Sequence, residues 1–179
     1  MAEQDQIIHY FLYNAKLKNK QFMKPHIGIS EKHLAHVTDV LSQVLATEMM
    51  LYTKTRKFHW NVCGDSFMEL HKLFEGHYQQ LEGAVDEVAE RINKLGSNAI
   101  GTMTEFVKLS HIKEAPGKYP DSKDMIKELL HDHETVIVQL RKDVDLCSDK
   151  YKDVGTTDFL TGLLEHHETI AWTLRRYLK

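Results

Sequence analysis

Residues 66–96 read SFMELHKLFEGHYQQLEGAVDEVAERINKLG. Phe67, Leu70, Phe74, Tyr78, Leu81, Val85, Val88, Ile92 and Leu95 recur at three- and four-residue intervals, the mark of one apolar helix face. Ser66 followed by Glu69 has the form of a capping box, and Gly96 is a C-terminal stop. The spacing predicts one unbroken helix over the whole stretch, long enough to be a member of a helical bundle.

The same period extends outward in both directions. Ser30 offers an N-cap with Glu31 behind it, and Leu34, Val37, Leu41, Val44, Leu45 and Met49 continue a first helix to about Trp60, ended by Asn61 and Gly64. A third helix is expected from about Ser122 to Lys150, carrying Met125, Leu129, Val136, Leu140 and Val144. A fourth is expected from about Thr156 to Leu178, carrying Leu160, Leu163, Leu164, Ile170, Ala171, Leu174 and Leu178. Residues 97–121 make a connection too long for a tight turn, with a short helix in TEFVKLSHIKE. Prolines occur only at Pro25, Pro116 and Pro120, outside all four helices, and nothing alternates with the period of a strand. The expected fold is all-α: a ferritin-like, up-down-down-up four-helix bundle over residues 30–179, with a short helix between helices two and three. Residues 1–29, with Lys16, Lys18, Lys20 and Lys24 against Glu3 and Asp5, are expected to form a separate arm.

Composition excludes several classes. A formal charge of −3 argues against a surface built wholly for nucleic acid. No apolar run reaches the roughly 18 residues of a membrane span, and the first residues lack the basic-then-apolar order of a secretion signal. Two cysteines, Cys63 and Cys147, fit a reducing compartment, so a cytoplasmic location is expected. Twelve histidines are the unusual feature.

Around the second helix, His71, Glu75, Asp86 and Glu90 lie roughly 60° to 160° from Phe74 and share a face beside the apolar stripe. His71 and Asp86 are nevertheless about 22 Å apart along the axis, so one chain cannot bring them to one ion. Two copies packed antiparallel about a two-fold axis would bring Asp86 and Glu90 of one to His71 and Glu75 of the other. Gly76 and Gly83 bracket the midpoint of such a pair and fit a close helix approach. The pattern predicts a homodimer with two equivalent sites. His59, at the end of the first helix, can be turned toward His71. Two imidazoles and three carboxylates suit iron or another first-row divalent ion. The alternative is an i,i+4 surface pair of His71 and Glu75 beside a solvated acidic edge.

HWNVCGDSFMELHKLFEGHY, followed by VDEVAERINKLG, resembles the signature of the Dps family, the DNA-protection-during-starvation miniferritins. The likeness runs over residues 30–178. It implies that His59 and His71 are metal ligands, that Asp86 and Glu90 are supplied by the neighbouring subunit, and that Trp60 lies beside the site. Glu75 stands where many members have aspartate, which lengthens the arm. The resemblance further implies a hollow dodecamer assembled from two-fold dimers. That shell would oxidise Fe(II), preferentially with hydrogen peroxide, store the ferric product and use no organic cofactor. By the same analogy Asp149, Asp153 and Asp158 are candidates to line an iron pore, and DNA is a possible partner through the lysines of the arm, with nucleoid association.

Other groupings compete. Glu128-x-x-His131 is half of an intra-bundle di-iron motif that needs a second copy elsewhere, and His131-Asp132 resembles the dyad of helical metal phosphohydrolases. LEHHET at 164–169 reads as a polar helix face, and Cys63 as an inert thiol at a corner. Two further readings stand beside the ferroxidase: a DNA-condensing architectural protein with little iron chemistry, and a structural helical oligomer whose histidines only pack.

Overall fold

The computed structural model describes residues 24–179, so Lys16, Lys18 and Lys20 of the expected arm lie outside the described residues. Five α-helices follow in order: α1 Glu31–Asn61, α2 Phe67–Lys94, α3 Met103–Leu109, α4 Ser122–Asp145 and α5 Val154–Arg176. The described residues contain no strand. The four long helices pack as two intimate pairs, α1 with α2 and α4 with α5, joined face to face. The short α3 sits in the long connection and rests on α1.

The apolar stripes close on one core. Leu41 and Leu45 of α1, Phe74 and Leu81 of α2, Leu129 and Leu140 of α4 and Leu160 and Leu174 of α5 are all buried. Each such side chain contributes about 1.5–3 kcal/mol of burial. Phe67 is the exception on α2: it stays 39% exposed and lies against the His71 ring instead.

Helix ends follow local chemistry, with three departures from expectation. Ser30 caps α1 by accepting from the His33 amide. Gly96 ends α2 with φ +82°, and the Ser97 and Gly96 amides close back on Ile92 and Asn93 in a Schellman motif. A Cβ at position 96 would fall 2.5 Å from Pro25 Cδ, so this glycine answers to both its backbone and its neighbour.

Ser66, however, makes no capping bond with its side chain. Its would-be partner Glu69 instead accepts from the Tyr177 hydroxyl at 2.8 Å. A true capping box occurs at α3, where Thr102 and Glu105 bond reciprocally. The third long helix does not remain α-helical to Lys150: Leu146–Lys150 form one π-helical turn, closed by Tyr151 N–H donating to Leu146 O. The last helix begins two residues before Thr156 because Asp153 caps it.

Asp153 is the most committed side chain of this corner. It accepts from the Thr156 amide at 3.0 Å, from the Thr156 hydroxyl at 2.6 Å and from Arg91 Nη2 at 3.2 Å. Only 2% of the residue is exposed. Of the three residues expected at a pore, Asp153 has its carboxylate enclosed by its own chain, whereas Asp149 and Asp158 are exposed. Asp153→Ala removes the cap and strands the half-buried Arg91, and should lower stability by about 2–4 kcal/mol. Asp153→Asn, which keeps an acceptor for Thr156, should cost less; urea unfolding midpoints compare the two.

Candidate metal centre

α1 and α2 are joined by a corner at residues 62–66, in which Gly64 takes φ +103°. The corner brings His59, in the last turn of α1, against His71, in the first turns of α2. His59 Nδ1 lies 2.8 Å from the His71 carbonyl, and His71 Nδ1 lies 2.9 Å from the His59 carbonyl. The rings stack with centroids 3.8 Å apart and planes 20° from parallel.

A carbonyl oxygen only accepts, so each Nδ1 carries the hydrogen and donates. In the neutral ring this leaves both Nε2 atoms as lone-pair donors, the arrangement by which backbone carbonyls orient metal-ligating histidines. His59 is buried and His71 half-buried. Glu75, one turn beyond His71, is half-buried on the same side of α2.

Aromatic rings flank the pair, Phe67 against His71 and Tyr78 against His59. Tyr78 meets His59 edge-on at 5.2 Å. The Arg56 guanidinium lies over the rings of Tyr52, Tyr78 and Trp60 at 5.0 to 5.6 Å and donates to the Tyr52 hydroxyl. Trp60 itself is 66% exposed, so it faces solvent beside the site and does not plug the end of the helix.

Asp86 and Glu90 do not join this group within one chain. α2 is continuous from Phe67 to Lys94, and the helical rise keeps Asp86 about 22 Å from His71. Both acidic residues are exposed, with Glu90 paired to Lys94 at 3.0 Å. Among the described residues no three His, Cys, Asp or Glu side chains of the single chain converge as the ligands of one ion do. Beyond their own helical turns, nothing in the chain lies within 4 Å of where a Cβ would sit at Gly76 or Gly83.

The competing groupings are otherwise engaged. Lys54 Nζ lies 3.0 Å from Glu128 and 2.6 Å from Asp132, which places an ammonium where the half-motif and the dyad would need a metal. Burial pushes the Asp132 carboxyl above its usual range, and Lys54 opposes that shift. Cys147 is buried and its thiol is pushed up to about 12, chiefly by burial, while Cys63 is exposed and free.

LEHHET is not simply a polar face: His167 is fully buried and bonded to Glu48 and His133. Sequence reasoning missed this polar core. The signal was available, since Glu48, His133 and His167 continue the three- and four-residue spacing of the leucines around them.

The reciprocal bonds of His59 and His71 form one unit. In the presence of a chelator, His59→Ala and His71→Ala should each lower stability by about 1 kcal/mol. The double variant should fall short of the sum by about 0.5 kcal/mol or more, because either change alone breaks the stack; a double-mutant unfolding cycle measures this.

Comparison with known proteins agrees with this architecture. The ferritin-like domain family matches residues 38–179. DNA protection during starvation protein 2 of Bacillus anthracis is 35% identical over 143 residues, covering 79% of this chain and 96% of that protein. An uncharacterized low temperature-induced protein of Nostoc sp. is 43% identical over 154 residues, or 86% of each chain. Among solved structures, the Dps protein of Vibrio cholerae O1 superposes with a TM-score of 0.82 at 28% identity, covering 89% of this chain and all of that one. It is described as a member of a broad superfamily of ferritin-like diiron-carboxylate proteins. With a bundle of this topology, a matching domain family over most of its length and a Dps relative at this identity, the chain belongs to the Dps family of ferritin-like proteins.

Proposed function

We infer that this protein is an iron-storing ferroxidase that protects DNA from oxidative damage. The observation that carries the reading is the His59–His71 pair, whose Nδ1 atoms are held by backbone carbonyls so that both Nε2 atoms are left to bind a metal. The names of the relatives point the same way: DNA protection in Bacillus anthracis and diiron-carboxylate chemistry in the superfamily of the Vibrio cholerae protein.

In this reading His59, His71 and Glu75 of one subunit face Asp86 and Glu90 of a second, which meets it along α2 about a two-fold axis. The open space at Gly76 and Gly83 supports such an approach. Iron is the substrate. Imidazoles hold Fe(II), carboxylates stabilise the ferric product, and two ferrous ions reduce one hydrogen peroxide, with two protons, to two waters. That two-electron route releases no hydroxyl radical, and Trp60, at the rim, would intercept a stray one-electron oxidant.

Six such dimers would enclose the mineral in a dodecamer, with residues 30–179 as the bundle domain and residues 1–29 as the arm. Asp149 and Asp158, both exposed, remain candidates for drawing iron inward. No helix of the described residues is long and apolar enough to cross a membrane, which fits a cytoplasmic role.

The shared site has a distinctive test. His71→Ala and Asp86→Ala should each abolish rapid peroxide-driven iron oxidation while assembly is kept. Co-expressing the two variants should restore about a quarter of the activity, because a mixed dimer regains one intact site of its two. No recovery in verified mixed particles would reject a site shared along α2. Abundant hydroxyl radical from the native protein during a peroxide pulse would reject the protective reading.

A further inference from the structure

The centre of the bundle is polar. Glu48 of α1, His133 of α4 and His167 of α5 are each completely buried among leucines. His167 Nε2 lies 2.8 Å from Glu48 Oε1, and the Nδ1 atoms of His133 and His167 lie 2.8 Å apart. The ionised carboxylate only accepts, so His167 donates from Nε2. With His167 neutral, its Nδ1 then accepts from His133 Nδ1–H. The order of hydrogens therefore runs one way, from His133 through His167 to Glu48, and ties three helices together.

The chain of bonds stops abruptly at both ends. His133 Nε2 and Glu48 Oε2 have no partner, and neither do His77 Nδ1 and His166 Nε2 on the flanks. Burial pushes His133 well below its usual range, with the neighbouring His167, His77 and His166 adding to the effect. His166 is lowered by burial as well, and His77 falls to about 4.

The network is close to water on one side. In the single chain α2 and α5 meet only lightly, leaving a cleft of about 470 Å³ lined by Gln80, Glu87, Asp158 and His166 and bordered by Gly83, the position proposed to meet the partner's α2. His166 is half-buried in its wall, and its ring meets His167 edge-on at 5.9 Å.

We propose that Glu48, His167 and His133 form an acid-responsive latch, which holds the bundle core closed at neutral pH and loosens it when protons arrive through the α2–α5 cleft by way of His166. A proton on His133 Nε2 has no acceptor to meet, so it breaks the one-way order of hydrogens at its starting end. The groups facing the latch are Glu48 from α1, His77 and Glu87 from α2, His133 from α4, and His166 and His167 from α5. The proposal rests on the three buried groups and His166, and it is independent of iron.

The direction follows from linkage. The folded chain holds His133 unprotonated where the unfolded chain, titrating near the ordinary value of about 6.5, takes up a proton. Stability is thus level above about pH 7 and is lost as pH falls below about 6.5.

Urea unfolding of the whole assembled protein, from pH 7.5 to 5 and at two concentrations tenfold apart, tests this while separating loosening from dissociation. The unfolding equilibrium constant should rise about tenfold per pH unit below 6.5 for each imidazole kept neutral. His133→Gln should flatten that slope by about one proton. A variant that shifts stability at pH 7.5 but keeps the native slope would show a merely structural histidine and overturn the proposal. If His133→Gln does not fold, amide exchange of the native protein decides. Faster opening around residues 44–51, 129–136 and 163–170 at pH 5 than at pH 7, corrected for intrinsic rates, is expected, and unchanged protection overturns the latch.

Discussion

The rise of an α-helix is the constraint on which this molecule turns. At about 1.5 Å per residue, an unbroken helix cannot fold its own ends together. α2 carries a histidine-and-carboxylate group near its start and an acidic pair near its end, and nothing in the helix bends to unite them. The rest of the architecture is consistent with that separation. The α1–α2 corner adds a second histidine at one end, and Gly96 stops the helix cleanly at the other. Rigidity, usually a means of holding groups together, here keeps these two groups apart within the chain.

Two histidine systems in the same chain show how backbone context selects chemistry. His59 and His71 donate from Nδ1 to each other's main-chain carbonyls, and so keep both Nε2 lone pairs free. His133 and His167 bond to each other and to Glu48, and so turn inward. Both systems use imidazole pairs at close range. What distinguishes them is the identity of the acceptor, a fixed carbonyl in one case and a titratable carboxylate in the other.

Much of this was legible in the sequence. The apolar stripe from Leu70 to Leu95 gave the helix, and the face shared by His71, Glu75, Asp86 and Glu90 stood out by angle alone. The features that escaped depended on contacts from distant residues. Ser66 and Glu69 satisfy a local rule that Tyr177, more than a hundred residues away, overrides. Asp153 looked like one of several loop acids until Arg91 and Thr156 enclosed it. The π-helical turn at Leu146–Lys150 has no compositional sign, because it inserts one residue per turn without changing the residue types. The buried histidines were legible by spacing, but a polar residue at a core position reads as a break in the stripe unless its partners on other helices are known.

The seating of Pro25 on Gly96 has a consequence for how this sequence can drift. Position 96 has neither the conformational freedom nor the room for a side chain, and the room is denied by the ring of residue 25. A change at 25 that removed the ring would relieve the crowding but not the left-handed backbone, and a change at 96 would displace the ring and with it the approach to α1. In evolutionary terms the coupling between these positions, seventy-one residues apart, runs one way: the ring at 25 can be lost while Gly96 stays, whereas a side chain at 96 meets both the ring and the left-handed backbone.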